Sequence, residues 1–235
     1  MKAEKRRKKL VHILDTAYWL FLEGGFEQTT VEQIAKEAGI SKPTLYKYVR
    51  TKDEILHLFH VLSHEDVESR VRQNLEEGNA QMALWIGISG IHELVLDMDK
   101  DMFSRFVSHA LETDYSFYRF DSPLEELCIR AIAVLQEEGT IQNACSPREL
   151  YRMLAHLDQG MIMDWCRTTE EEDLHERFKE VYTSVLGYQN PENFDFPLCS
   201  IKKIDPEDAC PRRACQSCWK GEETGSAVAM PEPLL

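Results

Sequence analysis

The chain lacks any apolar run that approaches the eighteen or more residues of a membrane-spanning helix. Its basic amino terminus is also not followed by the apolar core of a signal peptide, because His12 and Asp15 interrupt the next helical pattern. We therefore expect a cytoplasmic protein. The reducing conditions of that compartment argue against structural disulfide bonds among the seven cysteines.

The sequence also lacks the pattern of a β-strand and the usual signatures of catalysis. No segment alternates apolar and polar residues in the way that a half-buried strand does. We find no nucleophile–base constellation, no phosphate-binding loop and no His pair with the spacing of a metal site. These absences favour an all-α protein that is not an enzyme.

Positive charge is scarce over most of the chain and concentrated at its start. The net charge of the 235 residues is −14, whereas residues 1–50 carry a net +4, which leaves −18 for the remainder. Six cations precede the first helical stripe: Lys2, Lys5, Arg6, Arg7, Lys8 and Lys9. Such a cluster is typical of an arm that follows a polyanion, although a solubilising tail has the same composition.

Residues 30–52 have the pattern of a helix-turn-helix, the unit that enters the major groove of DNA. Thr30 and Gln33 form a capping box before an apolar stripe. Gly39 supplies the left-handed residue that ends this first helix, and Ser41 is a good N-cap for the next one. The second helix is short, because Thr51 begins another capping box.

The outward faces of the second short helix suit a nucleic-acid contact. They carry Lys42, Thr44, Tyr46, Lys47 and Tyr48. Lys and Thr bond base edges or phosphates, whereas Tyr hydroxyls usually position the protein on phosphates. Lys52 begins the following helix, where the backbone N–H groups already favour a phosphate. The alternative is an ordinary solvated face on a small helical corner.

The segment AYWLFLEGGFEQTTVEQIAKEAGISKPTLYKYVRTKDEIL, from Ala17 to Leu56, resembles the DNA-binding domain of the tetracycline-repressor (TetR) family of bacterial transcription regulators. An apolar stripe over Leu10–Gly25 supplies the helix that precedes the helix-turn-helix. The resemblance implies a repressor that is released from a palindromic operator by a small molecule. It also implies these DNA contacts: Thr30, Ser41, Lys42, Pro43, Thr44, Tyr46, Lys47, Tyr48 and Lys52.

Helical patterns continue beyond the helix-turn-helix and predict a larger helical bundle. Signals for helices occur at 51–77, 80–97, 102–111, from Ser122, at 146–167 and at 169–186. We divide the chain into a DNA-binding domain over residues 1–52, an effector-binding and dimerisation domain over 53–189, and a flexible tail over 190–235.

The resemblance implies that the last two helices, Ser146–Arg167 and Thr169–Leu186, form the interface of a homodimer. Bulky and partly polar residues on buried helices are candidates for the effector pocket, and each could equally be plain core. These candidates are Trp85, His92, Phe106, His109, Met161 and Trp165. The sequence does not reveal the effector, the operator, or whether the protein represses or activates.

The tail contains four of the seven cysteines in the spacing C-x10-C-x4-C-x2-C. They are Cys199, Cys210, Cys215 and Cys218. Four thiolates can hold zinc or an iron–sulfur cluster, so an alternative function is a metal- or redox-responsive regulator. Free thiols on a flexible tail fit the same spacing, because connectivity and metal cannot be inferred from it. No cofactor is required by the preferred function.

Overall fold

The part of the chain that the structure describes is a succession of helices. The computed structural model describes residues 2–96, 100–112, 122–168 and 173–197. The helices are α1 (Lys2–Gly24), α2 (Val31–Glu37), α3 (Lys42–Leu45), α4 (Lys52–Glu76), α5 (Ala80–Leu96), α6 (Lys100–Glu112), α7 (Pro123–Glu137), α8 (Pro147–Arg167) and α9 (Leu174–Leu186), followed by a short 3-10 turn over Pro191–Asn193.

The all-α prediction is confirmed for the part of the chain that the structure describes. No β-strand occurs there, and one isolated bridge pairs Ile141 with Tyr188. No helix in the described ranges is both long and apolar enough to cross a membrane. The described residues fall within one compact unit.

Most helices begin where a local polar side chain satisfies the first backbone N–H groups. Thr30 and Ser146 each form a complete capping box, with Gln33 and Glu149 respectively. The hydroxyl of Thr51 accepts a hydrogen bond from the backbone of the third helical residue, and so does that of Ser122.

The first and last helices differ from the prediction at their amino-terminal ends. Helix α1 begins at Lys2 rather than at Leu10, because Lys and Arg are good helix formers and need no apolar stripe to continue a helix. Helix α9 begins at Leu174 rather than at Thr169, and Asp173 is its N-cap. The predicted capping residues Thr169 and Glu172 lie outside the described residues.

Two clusters of buried apolar side chains hold the helices together. We call the first the head core; it unites α1, α2 and α3 with Ile55 and Leu56 of α4. It also includes Met102, Phe103 and Phe106 of α6, with Ile162 and Leu174. The second, the bundle core, contains Val67 and Val71 of α4 and buried residues of α5, α7, α8 and α9. Helix α4 therefore contributes to both cores.

Two glycines of α5 allow unusually close packing inside the bundle core. A Cβ atom at Gly87 would collide with Sγ of Cys128 on α7. A Cβ atom at Gly90 would lie 2.8 Å from Cγ2 of Val67 on α4. Because side chains in a dense core relax only slightly, these positions require the absence of a side chain.

Candidate nucleic-acid interface

Helices α2 and α3, with their N-cap residues, the turn between them and residues 46–49 after α3, form one unit, which we call the recognition unit. Gly39 adopts a φ of +65° and connects the two helices. The hydroxyl of Ser41 accepts a hydrogen bond from the backbone N–H of Thr44 at 3.3 Å. Leu45 and Val49 are buried and anchor α3 in the head core. The N-cap and these two buried side chains thus hold the backbone of α3 in place at both of its ends.

The anchoring of α3 leaves polar side chains on the surface of the recognition unit. Lys42, Tyr46 and Lys47 are exposed, and Tyr46 retains 45% of its accessible area. Thr44 and Tyr48 are half-buried. The predicted contacts Thr30, Ser41 and Pro43 are exposed as well. The structure therefore brings these eight predicted residues together on two short neighbouring segments.

Lys42 forms an ion pair that no short-range sequence pattern predicts. Its ammonium forms an ion pair with Glu32 of α2 and lies 5.8 Å from the ring centre of Tyr46. The hydrogen bond between them raises the pKa of Lys42 and lowers the pKa of Glu32. A carboxylate thus lies among the cations of the recognition unit.

Lys52 makes different contacts from those that the sequence predicts. Its ammonium donates hydrogen bonds to the carbonyl oxygens of Phe26 at 2.6 Å and Glu27 at 3.3 Å. It also lies 4.6 Å from the ring centre of Phe26. Two of its three donors therefore bind the loop between α1 and α2, and the phosphate contact proposed for Lys52 stays a prediction.

The cluster of cations at the amino terminus belongs to helix α1 and is not an extended arm. The guanidinium of Arg6 lies 5.9 Å from the ring centre of Tyr48 in the recognition unit. The neighbouring Arg7 forms an ion pair of 2.7 Å with Glu65 of α4. Helix α1 therefore presents its first turns beside the recognition unit, in a fixed orientation.

The four candidate effector residues whose side chains the structure describes are divided between the two cores. Trp85 is fully buried in the bundle core, whereas Phe106 is buried in the head core, 5.0 Å from the ring of His60. Met161 is half-buried and packs against both cores. Trp165 is also half-buried and packs against the head core. The side chains of His92 and His109 lie outside the described residues.

A surface cavity of about 290 Å³ lies between the end of α1 and the start of α2. Its lining includes Leu20, Glu23, Gln28 and Thr29, and none of them is among the predicted pocket residues.

The predicted metal ligands Cys199, Cys210, Cys215 and Cys218 lie outside the described residues. Within the described ranges, no group of three His, Cys, Asp or Glu side chains is arranged to hold a metal ion. Cys128 is buried in the bundle core, as expected for a small apolar residue, and burial raises the pKa of its thiol.

Comparison with known proteins identifies the same segment. Residues 13–58 match the model of the family described as bacterial regulatory proteins, tetR family. A fatty acid metabolism regulator protein of Bacillus subtilis (strain 168) is 32% identical over 87 residues, which are 37% of this chain and 45% of the relative. The HTH-type transcriptional regulator PksA of the same organism is 39% identical over 69 residues, which are 29% and 32% of the two chains. The chain thus spans less than half the length of these curated relatives.

Solved structures share the fold over a longer part of the chain. The TetR-family repressor FadR of Thermus thermophilus, in complex with lauroyl-CoA, has a TM-score of 0.54 at 24% identity. That match covers 75% of this chain and 93% of the Thermus chain. A TetR transcription regulator of Haloarcula marismortui also has a TM-score of 0.54, at 16% identity, and covers 77% and 97% of the two chains. The amino-terminal segment over residues 13–58 therefore carries the helix-turn-helix region of the tetR family of bacterial regulatory proteins.

Proposed function

We propose that the protein is a repressor that binds a palindromic operator and is released from it by a small molecule. The observation that carries this proposal is the surface of the recognition unit, where Lys42 is exposed on a short capped helix and Tyr46 and Lys47 are exposed directly after it. Lys and Tyr side chains in this position reach base edges and phosphates in the major groove. The matched family consists of regulatory proteins and not of enzymes.

Helix α8 supports a homodimer. Met153, Leu157 and Met163 are exposed on it to 46%, 43% and 42%, although large apolar side chains favour burial. Gly160 lies between them on the same face, with open space where its Cβ would stand. Two copies of α8 could therefore approach closely around a two-fold axis. A dimer would place two recognition units on related half-sites, as a palindromic operator requires.

Helix α4 offers a route by which an effector would change DNA binding. It starts immediately after the recognition unit, contributes Ile55 and Leu56 to the head core, and continues into the bundle core. A ligand that prefers one position of α4 would shift the population of DNA-binding molecules by its difference in affinity. The screen for that ligand begins with lauroyl-CoA, the compound bound in the Thermus protein.

The proposal is tested by selecting duplexes from a random pool with the full-length protein. We expect the selected sequences to contain an inverted repeat. The variant Lys47→Ala should bind the selected duplex at least about tenfold more weakly, because one good base or phosphate contact contributes about 1–3 kcal/mol. Arg130→Ala is the matched control, since Arg130 is an exposed cation on α7. Selection of no sequence, or equal losses in both variants, would contradict the proposal.

A further inference from the structure

Beyond α9 the chain continues through residues 188–197, a segment without an α-helix, which we call the strap. Its first residues are fixed to the loop that follows α7. The backbone N–H of Gln189 donates to the carbonyl of Thr140 at 2.9 Å, and the N–H of Gln142 donates to the carbonyl of Gly187 at 3.1 Å. Tyr188 forms a β-bridge with Ile141. The beginning of the strap is therefore part of the folded bundle.

The later half of the strap is attached in a different way. Asn190 adopts a φ of +50°, which turns the chain before the short helix Pro191–Asn193. Phe196 then lies 4.9 Å from the ring centre of Trp85, and the carbonyl of Pro197 accepts a hydrogen bond of 2.8 Å from the indole N–H of Trp85. This half contacts α5 through one T-shaped ring contact and one hydrogen bond to a side chain. It makes no pair of backbone hydrogen bonds like those at residues 187–189.

Trp85 lies in a cage of aromatic rings. Helix α9 supplies three walls, with ring-centre distances of 5.6 Å to His175, 5.8 Å to Phe178 and 5.2 Å to Tyr182. The strap supplies the remaining wall and the acceptor for the indole N–H. Trp85 is fully buried, whereas Phe196 and Pro197 remain partly exposed. The strap is thus the outermost part of the cage.

We propose that the place now taken by Phe196 and Pro197, against Trp85 in this cage, is a binding site for a planar aromatic molecule. The ligand would carry a hydrogen-bond acceptor at its edge. The strap occupies the site: the ring of Phe196 takes the place of the ligand's ring, and the carbonyl of Pro197 takes the place of its acceptor. A buried indole N–H needs a partner, so a ligand that displaces the strap must supply one. Displacement leaves the three walls on α9 and the backbone hydrogen bonds of residues 187–189 intact, because the chain turns at Asn190.

The strap competes with the ligand, so the apparent affinity of the intact protein is reduced by the fraction of molecules in which the site is closed. Removing the ring of Phe196, which also lies 5.9 Å from the ring centre of Tyr182, weakens the competitor and keeps all three residues that form the walls on α9. The proposal concerns binding alone, and it therefore stands or falls independently of operator recognition.

The test uses coumarin, a planar bicyclic aromatic with a ring carbonyl, and the full-length protein in equilibrium dialysis. We expect Phe196→Ala to bind coumarin at least about tenfold more tightly than the wild type does, through the removal of the closed state. Leu22→Ala, which removes an exposed apolar side chain from α1, is the control and should bind like the wild type. Equal affinities of the wild type and Phe196→Ala would overturn the proposal.

A second measurement locates the bound probe without any change to the cage walls. The chain has four tryptophans, so Phe196→Ala labelled with ¹⁵N should give four indole N–H resonances. Coumarin should move the resonance of Trp85, assigned by replacing Trp19, Trp165 and Trp219 with Phe in turn. A shift confined to another indole would show that the probe binds elsewhere and would also overturn the proposal.

Discussion

One carboxylate controls how much positive charge the recognition unit offers. Glu32 is exposed on α2 and pairs with Lys42, so that a phosphate must compete with it for the ammonium. Lys47, just after α3, is also exposed, and within the described residues its ammonium has no ion-pair partner. The two lysines therefore differ in availability for a phosphate although they are five residues apart.

Replacing this carboxylate should strengthen DNA binding. In Glu32→Gln the ammonium of Lys42 is released, and we expect tighter operator binding and a salt dependence that is steeper by about one phosphate contact per subunit. Fluorescence anisotropy over a series of KCl concentrations measures both quantities. Glu37→Gln removes the same charge from the end of α2 and is the control for long-range electrostatics. Equal effects of the two variants would show that the ion pair has no particular role.

His60 is a residue whose burial has a consequence for pH. It is 1% exposed in the head core and lies 4.5 Å from the ring of His64. Burial lowers the pKa of His60 well below its ordinary value, and the charges of His64 and His57 lower it further. The folded protein therefore keeps His60 neutral at a pH at which the unfolded chain would protonate it.

The stability that depends on neutral His60 is present above the unfolded pKa of about 6.5 and is lost as the pH falls below it. Between pH 6 and 5 this one group should lower the free energy of unfolding by up to about 1.4 kcal/mol per pH unit. Urea unfolding at several pH values should show a shallower slope for His60→Gln than for the wild type. His156→Gln, at an exposed position on α8, should keep the wild-type slope. Identical slopes in all three proteins would contradict the assignment.

At the level of elements, helix α1 extends the basic surface of the recognition unit. Successive residues of a helix are separated by about 100°, so Arg6 and Lys9 lie on neighbouring sides of α1, whereas Lys8 lies almost opposite Arg6. Arg6 faces Tyr48, and Lys8 pairs with Glu4 at 3.6 Å. The side of α1 that carries Arg6 is therefore the one beside the recognition unit.

We expect the cations of α1 to differ in their contribution to DNA binding. Arg6→Gln and Lys9→Gln should each reduce the slope of log affinity against log salt by about one per subunit, because each removes a phosphate contact. Lys8→Gln should change the slope less, since Lys8 points away from Tyr48. The three variants remove the same charge, so the comparison separates position from net charge. Equal slopes in the three variants would indicate that α1 attracts DNA through its net charge and not through individual phosphate contacts.

Several helix boundaries that a short-range signal sets were predictable from the sequence, although the start of α9 at Leu174 was not. The capping box at Thr30 and the left-handed glycine at Gly39 depend on residues within one turn, and the structure has both. The start of α1 was not predictable in this way, because a run of Lys and Arg has helix propensity but neither a cap nor an apolar stripe.

The contacts that the predicted DNA-binding lysines make with other parts of the protein could not be predicted from the sequence. Lys42 and Glu32 are ten residues apart, and Lys52 and Phe26 are 26 residues apart, so each pair depends on how separate parts of the chain pack. The same reason applies to the candidate effector residues: Trp85 and Phe106 were grouped by residue type, but packing places them in different cores. Periodicity identifies which residues are buried, not which buried residues meet.

At the scale of the whole molecule, α4 is the helix that connects the head core with the bundle core. Ile55 and Leu56 at its start pack in the head core, and Val67 and Val71 farther along pack in the bundle core. The close approach of Gly90 on α5 to Val67 leaves little room for α4 to slide at that point. A rearrangement in the bundle would therefore be transmitted to the recognition unit as a movement of the helix rather than absorbed within it.

In the proposed homodimer, the exposed face of α8 would bring two recognition units together. Leu157 is 43% exposed at the centre of that face, and a carboxylate there would face its own copy across a two-fold axis. We expect Leu157→Glu to sediment as a monomer at micromolar concentrations at which the wild type is a dimer. The monomer should bind the full operator at least about tenfold more weakly, because it engages one half-site at a time. Leu22→Glu, which replaces a leucine exposed to 37% on α1, should remain a dimer. If Leu157→Glu also remained a dimer, the interface would have to lie on another surface.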